Sequence, residues 1–160
     1  MAQYADMVSL LRAVPLFAGL DPARLKLLAF SSTYLTLASG EVLFYSGEAA
    51  DAVYIIEEGE AEILVGSGRD EVHVGTLGRY WLLGELAVFR NQPRSATIRA
   101  RGHLRVVKID ADIFLRIVSE SPDVALNIMR ILSDKLAKMT ESFERFESGH
   151  RQLTTSSETC

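Results

Sequence analysis

Between Tyr34 and Asp110 the apolar residues come in runs of three or four: Val42-Leu43-Phe44, Val53-Tyr54-Ile55-Ile56, Ile63-Leu64-Val65, Ala96-Thr97-Ile98 and Leu104-Arg105-Val106-Val107. Glycine-bearing turns separate many of them, at Ser46-Gly47, Glu58-Gly59 and Gly66-Ser67-Gly68. Runs this short do not sustain a helical stripe, and closely spaced strands with tight turns close most readily into a small antiparallel barrel or jelly roll. Helical periodicity frames the strands. Val8, Leu11 and Val14, then Leu25, Leu28 and Ala29 beyond Pro15 and Asp21-Pro22, predict two short helices. It returns after Asp110, and again after Pro122 with Asp123 in the first turn. The expected class is α+β: an antiparallel β-roll flanked by N-terminal helices and a long C-terminal helix.

That last helix carries Met129, Leu132, Leu136, Met139, Phe143 and Phe146 at spacings of three and four. Such a seam either packs on its own domain or pairs with a second copy. A homodimer through the C-terminal helix is the expectation, because Phe143 and Phe146 would otherwise lie exposed near a polar end. The domain is expected to span 1–147, and the Ser- and Thr-rich stretch 148–160 to be a disordered tail.

With 160 residues, 48% of them hydrophobic, the chain can bury a core of its own. A formal charge of −4 and a pI near 5.4 argue against a duplex nucleic-acid surface, so no direct DNA binding is expected. No apolar run approaches a membrane span and no basic leader precedes an apolar stretch, so the expected location is cytoplasmic, away from membranes. The single cysteine, Cys160, excludes an internal disulfide and a cysteine-ligated cluster. His73, His103 and His150 are scattered without ligand spacing, and no Ser-His-Asp set assembles. The chain is not expected to be an enzyme or to hold a metal or cofactor.

Its chemistry is concentrated from Leu83 to Thr97, where a carboxylate and a guanidinium stand at opposite ends of a short loop. Gly84 permits positive φ or close backbone approach, and Glu85 to Phe89 supplies about one helical turn whose free N–H groups attract negative charge. Pro93 ends the turn. Arg94 then offers a planar fork suited to phosphate, and the N–H groups at Ser95 and Ala96 with the Ser95 hydroxyl complete a ring of donors. Glu85 would repel the same phosphate, but it can accept from a ribose hydroxyl attached to it.

The segment Gly84-Glu85-Leu86-Ala87, followed by Pro93-Arg94-Ser95-Ala96-Thr97, closely resembles the phosphate-binding cassette of the cyclic-nucleotide-binding domain found in bacterial catabolite activators, kinase regulatory subunits and gated channels. Gly40-Glu41-Val42-Leu43-Phe44, Gly47, Asp51, Tyr54-Ile55-Ile56 and Gly59 are similar to that family's β-roll. Val14-Pro15-Leu16-Phe17 with Leu20-Asp21-Pro22 resembles its N-terminal helical element, and Phe114 with Ser121-Pro122-Asp123 the start of its C-terminal helices. The resemblance implies that Glu85 binds the ribose 2′-hydroxyl and Arg94 the cyclic phosphate of cAMP or cGMP, with cAMP preferred. By the same likeness Val74 and Gly75 fall near the purine wall, while Met139 and Thr140 fall where some catabolite activators meet the base.

The chain departs from the pattern in one place. Tyr80-Trp81 stands where the family has a Gly-Asp turn; Tyr80 cannot take a left-handed turn as cheaply as glycine, so the loop is expected either to differ in shape or to be strained, and Trp81 is either a packing anchor or an obstacle at the pocket. Catabolite activators continue into a DNA-binding domain, which this sequence does not resemble. The ligand's output is therefore expected in the dimer, in a protein partner or in the ligand pool. The alternatives to a nucleotide sensor are a ligand-free interaction module and a dimerising modulator of full-length transcription regulators.

Overall fold

A computed structural model describes the backbone of residues 2–66 and 68–158, and the side chains of 4–66, 68–141 and 144. Helix α1 (Ala2–Ala13), a 3-10 turn (Pro15–Phe17) and α2 (Pro22–Ser31) precede β1 (Thr33–Leu37), β2 (Val42–Phe44), β3 (Ala52–Val65), β4 (Val72–Leu77) and β5 (Leu82–Leu83). Then come α3 (Glu85–Arg90), β6 (Thr97–Asp110), α4 (Ala111–Glu120) and α5 (Pro122–Glu158).

The strands form one antiparallel sheet in the order β1-β6-β3-β4, with β2 paired to β6 and β5 to β3. Two expected strand pairs are single long strands. The apolar runs around Val53–Ile56 and Ile63–Val65 both belong to β3, and those around Ala96–Ile98 and Leu104–Val107 fall on β6, both strands 14 residues long. Gly59 bends β3 instead of ending it: its φ is +94°, the register with β6 shifts between Ile56 and Glu58 and again between Glu58 and Glu60, and an added Cβ would run into the His103 carbonyl.

Alternation along these strands builds two cores. Val53 and Ile55 on β3, Leu82 on β5, and Val107 and Ile109 on β6 face the helices and pack with Leu11, Leu16, Leu28, Phe114, Ile117 and Val124. The residues between them, Ala52, Tyr54 and Ile56 with Leu83, Leu104 and Val106, fill the roll with Leu37, Phe44, Ile98 and Ala100. Each large side chain removed from water this way contributes roughly 1.5–3 kcal/mol before ordering costs.

Pro22 opens α2, and Asp110 caps α4 by accepting from the Asp112 N–H at 3.0 Å. Asn127 anchors the start of α5 to the 3-10 turn, its Nδ2 donating to the Leu16 and Ala18 carbonyls at 3.0 and 3.1 Å. At 37 residues α5 is about 55 Å long, and its backbone is helical through 148–158, the stretch expected as a tail. The seam divides. Leu132 is half-buried against the helical core, whereas Met129, Leu136 and Met139 point outward. The Phe143, Phe146 and His150 side chains, and Cys160, lie outside the described residues.

Candidate functional site

The turn before the cassette is built on a strained residue. Tyr80 has φ +70°, so of the two expected outcomes the loop keeps a left-handed residue and bears the strain. Its N–H donates to the Ile56 carbonyl at 2.7 Å and the Ile56 N–H donates back to the Trp81 carbonyl at 3.1 Å, so β3 grips the turn from both sides. Gly84, at φ +80°, then caps α3 in the left-handed conformation, and Asn91 ends that helix at φ +51°. Gly84 also leaves room for Arg94, whose Nη1 an added Cβ would strike.

Arg94 is only 3% exposed. Its Nη1 donates to the Gly84 carbonyl at 2.8 Å and its Nη2 to the Ala52 carbonyl at 2.6 Å, while the guanidinium plane lies 4.1 Å from the centre of the Phe44 ring and within reach of Tyr54. The backbone is clamped too, because the Arg94 N–H donates to the Glu48 carbonyl and the Gly47 N–H to the Arg94 carbonyl, each at 2.8 Å. No ion pair among the described residues includes Arg94, and its buried Nε finds no acceptor among them. Burial pushes the guanidinium below its ordinary pKa, against the pull of Tyr54, Asp51, Glu48 and Glu85.

Glu85, at the first turn of α3, is 2% exposed. Its Oε1 accepts from Lys135 Nζ at 2.6 Å, and the same ammonium donates to the Leu82 carbonyl at 2.8 Å. Lys135 Nζ also lies 5.6 Å from the centre of the Trp81 ring, on which Lys138 Nζ sits at 4.6 Å. One turn of α5 is thus fastened across the joint between β5 and α3. Lys135 was not among the residues singled out from sequence, and nothing local announces it, since its partner is fifty positions away.

The fold brings Gly84, Glu85, Ala87 and Arg94 together around α3 and the β2–β3 loop, with Ala87 buried, Leu86 exposed, Ala96 half-buried and Ser95 exposed at the rim. Gly75 pairs with Ile63 across β3 and β4, and Val74 beside it is exposed. Met139 is 69% exposed, and the Thr140 hydroxyl donates to the Leu136 carbonyl of its own helix. No group of three or more His, Cys, Asp or Glu suited to a metal occurs among the described residues.

The cyclic nucleotide-binding domain family matches residues 34–121, which include the roll, the cassette and α4. The chain is 30% identical over 141 residues to a cAMP-dependent protein kinase regulatory subunit of Blastocladiella emersonii, covering 88% of this chain and 32% of that protein. It therefore spans about a third of that relative's length. The structure is similar to the regulatory domain of Toxoplasma gondii PKA with cAMP (TM-score 0.71, 25% identity, 86% of this chain and 51% of that one). In fold it also matches the sensor domain of the transcriptional regulator DNR from Pseudomonas aeruginosa (TM-score 0.74, 24% identity, 88% of this chain and 95% of that one). The left-handed cap at Gly84, the buried carboxylate at Glu85 and the buried guanidinium at Arg94 lie inside the matched segment, and the chain belongs to the cyclic nucleotide-binding domain family.

Proposed function

We propose that the chain is a regulatory sensor that binds cAMP, in preference to cGMP, with the cyclic phosphate on Arg94 and the ribose on Glu85. The observation that carries the reading is Arg94: a buried cation held by two carbonyls and two aromatic rings, with no carboxylate among the described residues paired to it. A charge withdrawn from water needs a counter-charge, and a phosphate supplies both the charge and acceptors for a planar fork. Ser95 at the rim adds a hydroxyl. Glu85 keeps one oxygen on Lys135 and gives the other to the ribose hydroxyl, so nucleotide and α5 meet on the same carboxylate. Binding there biases how α5 is held, and α5 carries the signal to a second copy or a partner. The same reading makes the chain a cytoplasmic, non-catalytic module; no helix among the described residues is long and apolar enough to cross a membrane.

Calorimetry with cAMP and cGMP tests it. Arg94→Ala removes charge-assisted bonds of about 1.5–3 kcal/mol, a loss of roughly tenfold to hundredfold in affinity. Undiminished binding by that variant would place the ligand elsewhere. Glu85→Gln should chiefly weaken discrimination against 2′-deoxy nucleotides.

A further inference from the structure

Trp81 is the chain's only tryptophan and stands in an unusual setting. The strained Tyr80 and the paired bonds to Ile56 fix the backbone on either side of it, and its ring is half-buried beside the core of the roll. Over that ring lie the ammoniums of Lys135 and Lys138, i and i+3 on α5. Strain that two backbone hydrogen bonds hold in place, ending in an aromatic ring with the exposed Lys138 ammonium 4.6 Å from its centre, is a costly way to anchor a side chain. It is an economical way to present a flat surface.

That surface lies one ammonium away from Glu85, because Lys135 Nζ is bonded to the carboxylate at 2.6 Å and lies 5.6 Å from the centre of the ring. A nucleoside has the same layout: its base sits one sugar ring away from its 2′-hydroxyl. We propose that Trp81 is the nucleobase platform of this site, on which the base stacks after displacing the Lys138 ammonium, while Lys135 stays on Glu85. The proposal rests on the Arg94 and Glu85 reading of the ligand's phosphate and ribose. The exchange is favourable in kind. Lys138 is exposed and regains its hydration when released, whereas a neutral base placed on the ring leaves water. Trp81 is then a specificity-determining residue that selects for a stackable base and not for a particular pattern of donors and acceptors.

The test compares cAMP with ribose 3′,5′-cyclic phosphate, which keeps the phosphate and sugar but has no base, on wild type, Trp81→Phe, Trp81→Ala and Lys138→Ala. Trp81→Ala should weaken cAMP roughly tenfold to hundredfold, as losing a base–aromatic stack does, and leave the baseless ligand unchanged. Trp81→Phe, which preserves an aromatic ring and most of the packing, should retain most of the cAMP affinity, and Lys138→Ala should bind cAMP as well as wild type or better. In the wild type, tryptophan fluorescence should change with cAMP and not with the baseless ligand. If Trp81→Ala does not fold, the fluorescence contrast and Trp81→Phe decide. Equal cAMP affinity in Trp81→Ala, or fluorescence indifferent to the base, overturns the platform while leaving the phosphate and ribose reading intact. A wild type that binds neither ligand overturns both.

Discussion

At the scale of single residues, Gly84 and Arg94 form one unit. Gly84 supplies a left-handed turn, a carbonyl for the Arg94 fork and the empty space the fork occupies. Gly84→Ala should therefore cost more than its backbone conformation alone. Gly40 gives the control, since it has a similar φ of +86° and open space where a Cβ would go. Gly40→Ala should lower stability by about 1–2 kcal/mol, the cost of a left-handed non-glycine residue. Gly84→Ala should lower it further and weaken cyclic nucleotide binding as well, because Arg94 must leave its seat between Phe44 and the Ala52 carbonyl. Urea unfolding of both variants, with nucleotide titration of each, measures the difference. Equal losses of stability with intact binding would show that Arg94 has room to adjust.

At the scale of elements, the cassette was readable in the sequence because its groups are neighbours along the chain: Gly84 and Glu85 at one end of α3, Pro93, Arg94 and Ser95 just past the other. The departure at Tyr80 was readable for the same reason, since a bulky residue in a glycine's place has a local cost, but whether the loop would change shape or bear the strain depends on the two bonds to Ile56 that hold it. What the sequence did not reveal is made by distant elements. Gly59 looks like a turn and is a bend inside β3, because β6 runs alongside across the whole length and the bend is paid for by pairing partners the local sequence does not name. Lys135 looks like any exposed helical lysine until α5 crosses β5 and α3. That crossing carries its own prediction. Removing Lys135 leaves the buried Glu85 carboxylate without its cation, and such half-removed pairs cost about 3–5 kcal/mol when fully buried, less here because Lys135 remains 22% exposed. Lys135→Met should destabilise the protein by roughly 2–4 kcal/mol, and adding Glu85→Gln to it should recover part of the loss because the remaining group is neutral. Thermal or urea unfolding of the four proteins of this cycle gives the coupling. Additive losses would mean that the contact of α5 with the cassette is incidental.

At the scale of the whole molecule, the question is what α5 does beyond the roll. Val124 and Ile128 lie in the helical core, Ile131 and Leu132 pack at its margin, and Lys135 ties the helix to the roll's side of the site, with Lys138 on the Trp81 ring just beyond. The helix goes on to Glu158, and Leu126, Met129, Leu136 and Met139 are 46%, 62%, 64% and 69% exposed. Four large apolar side chains spread along one helix, at spacings close to a heptad, are what a second helix would cover. Met129, Leu136 and Met139 take little part in the chain's own packing, so charging one of them should spare the fold and break only the pairing. Leu136 lies one residue from Lys135 but is 64% exposed where Lys135 is half-buried, so Leu136→Glu separates assembly from ligand binding. The wild type should sediment as a dimer at micromolar concentration and Leu136→Glu should shift toward monomer while its unfolding midpoint at high dilution stays near the wild type's. Because α5 is tied to Glu85 in each copy, the dimer should also weaken or tighten when nucleotide is bound, which sedimentation with and without cAMP reads directly. A wild type that stays monomeric at high micromolar concentration would remove the second copy as the receiver of the signal, and the exposed face of α5 would then belong to a different protein.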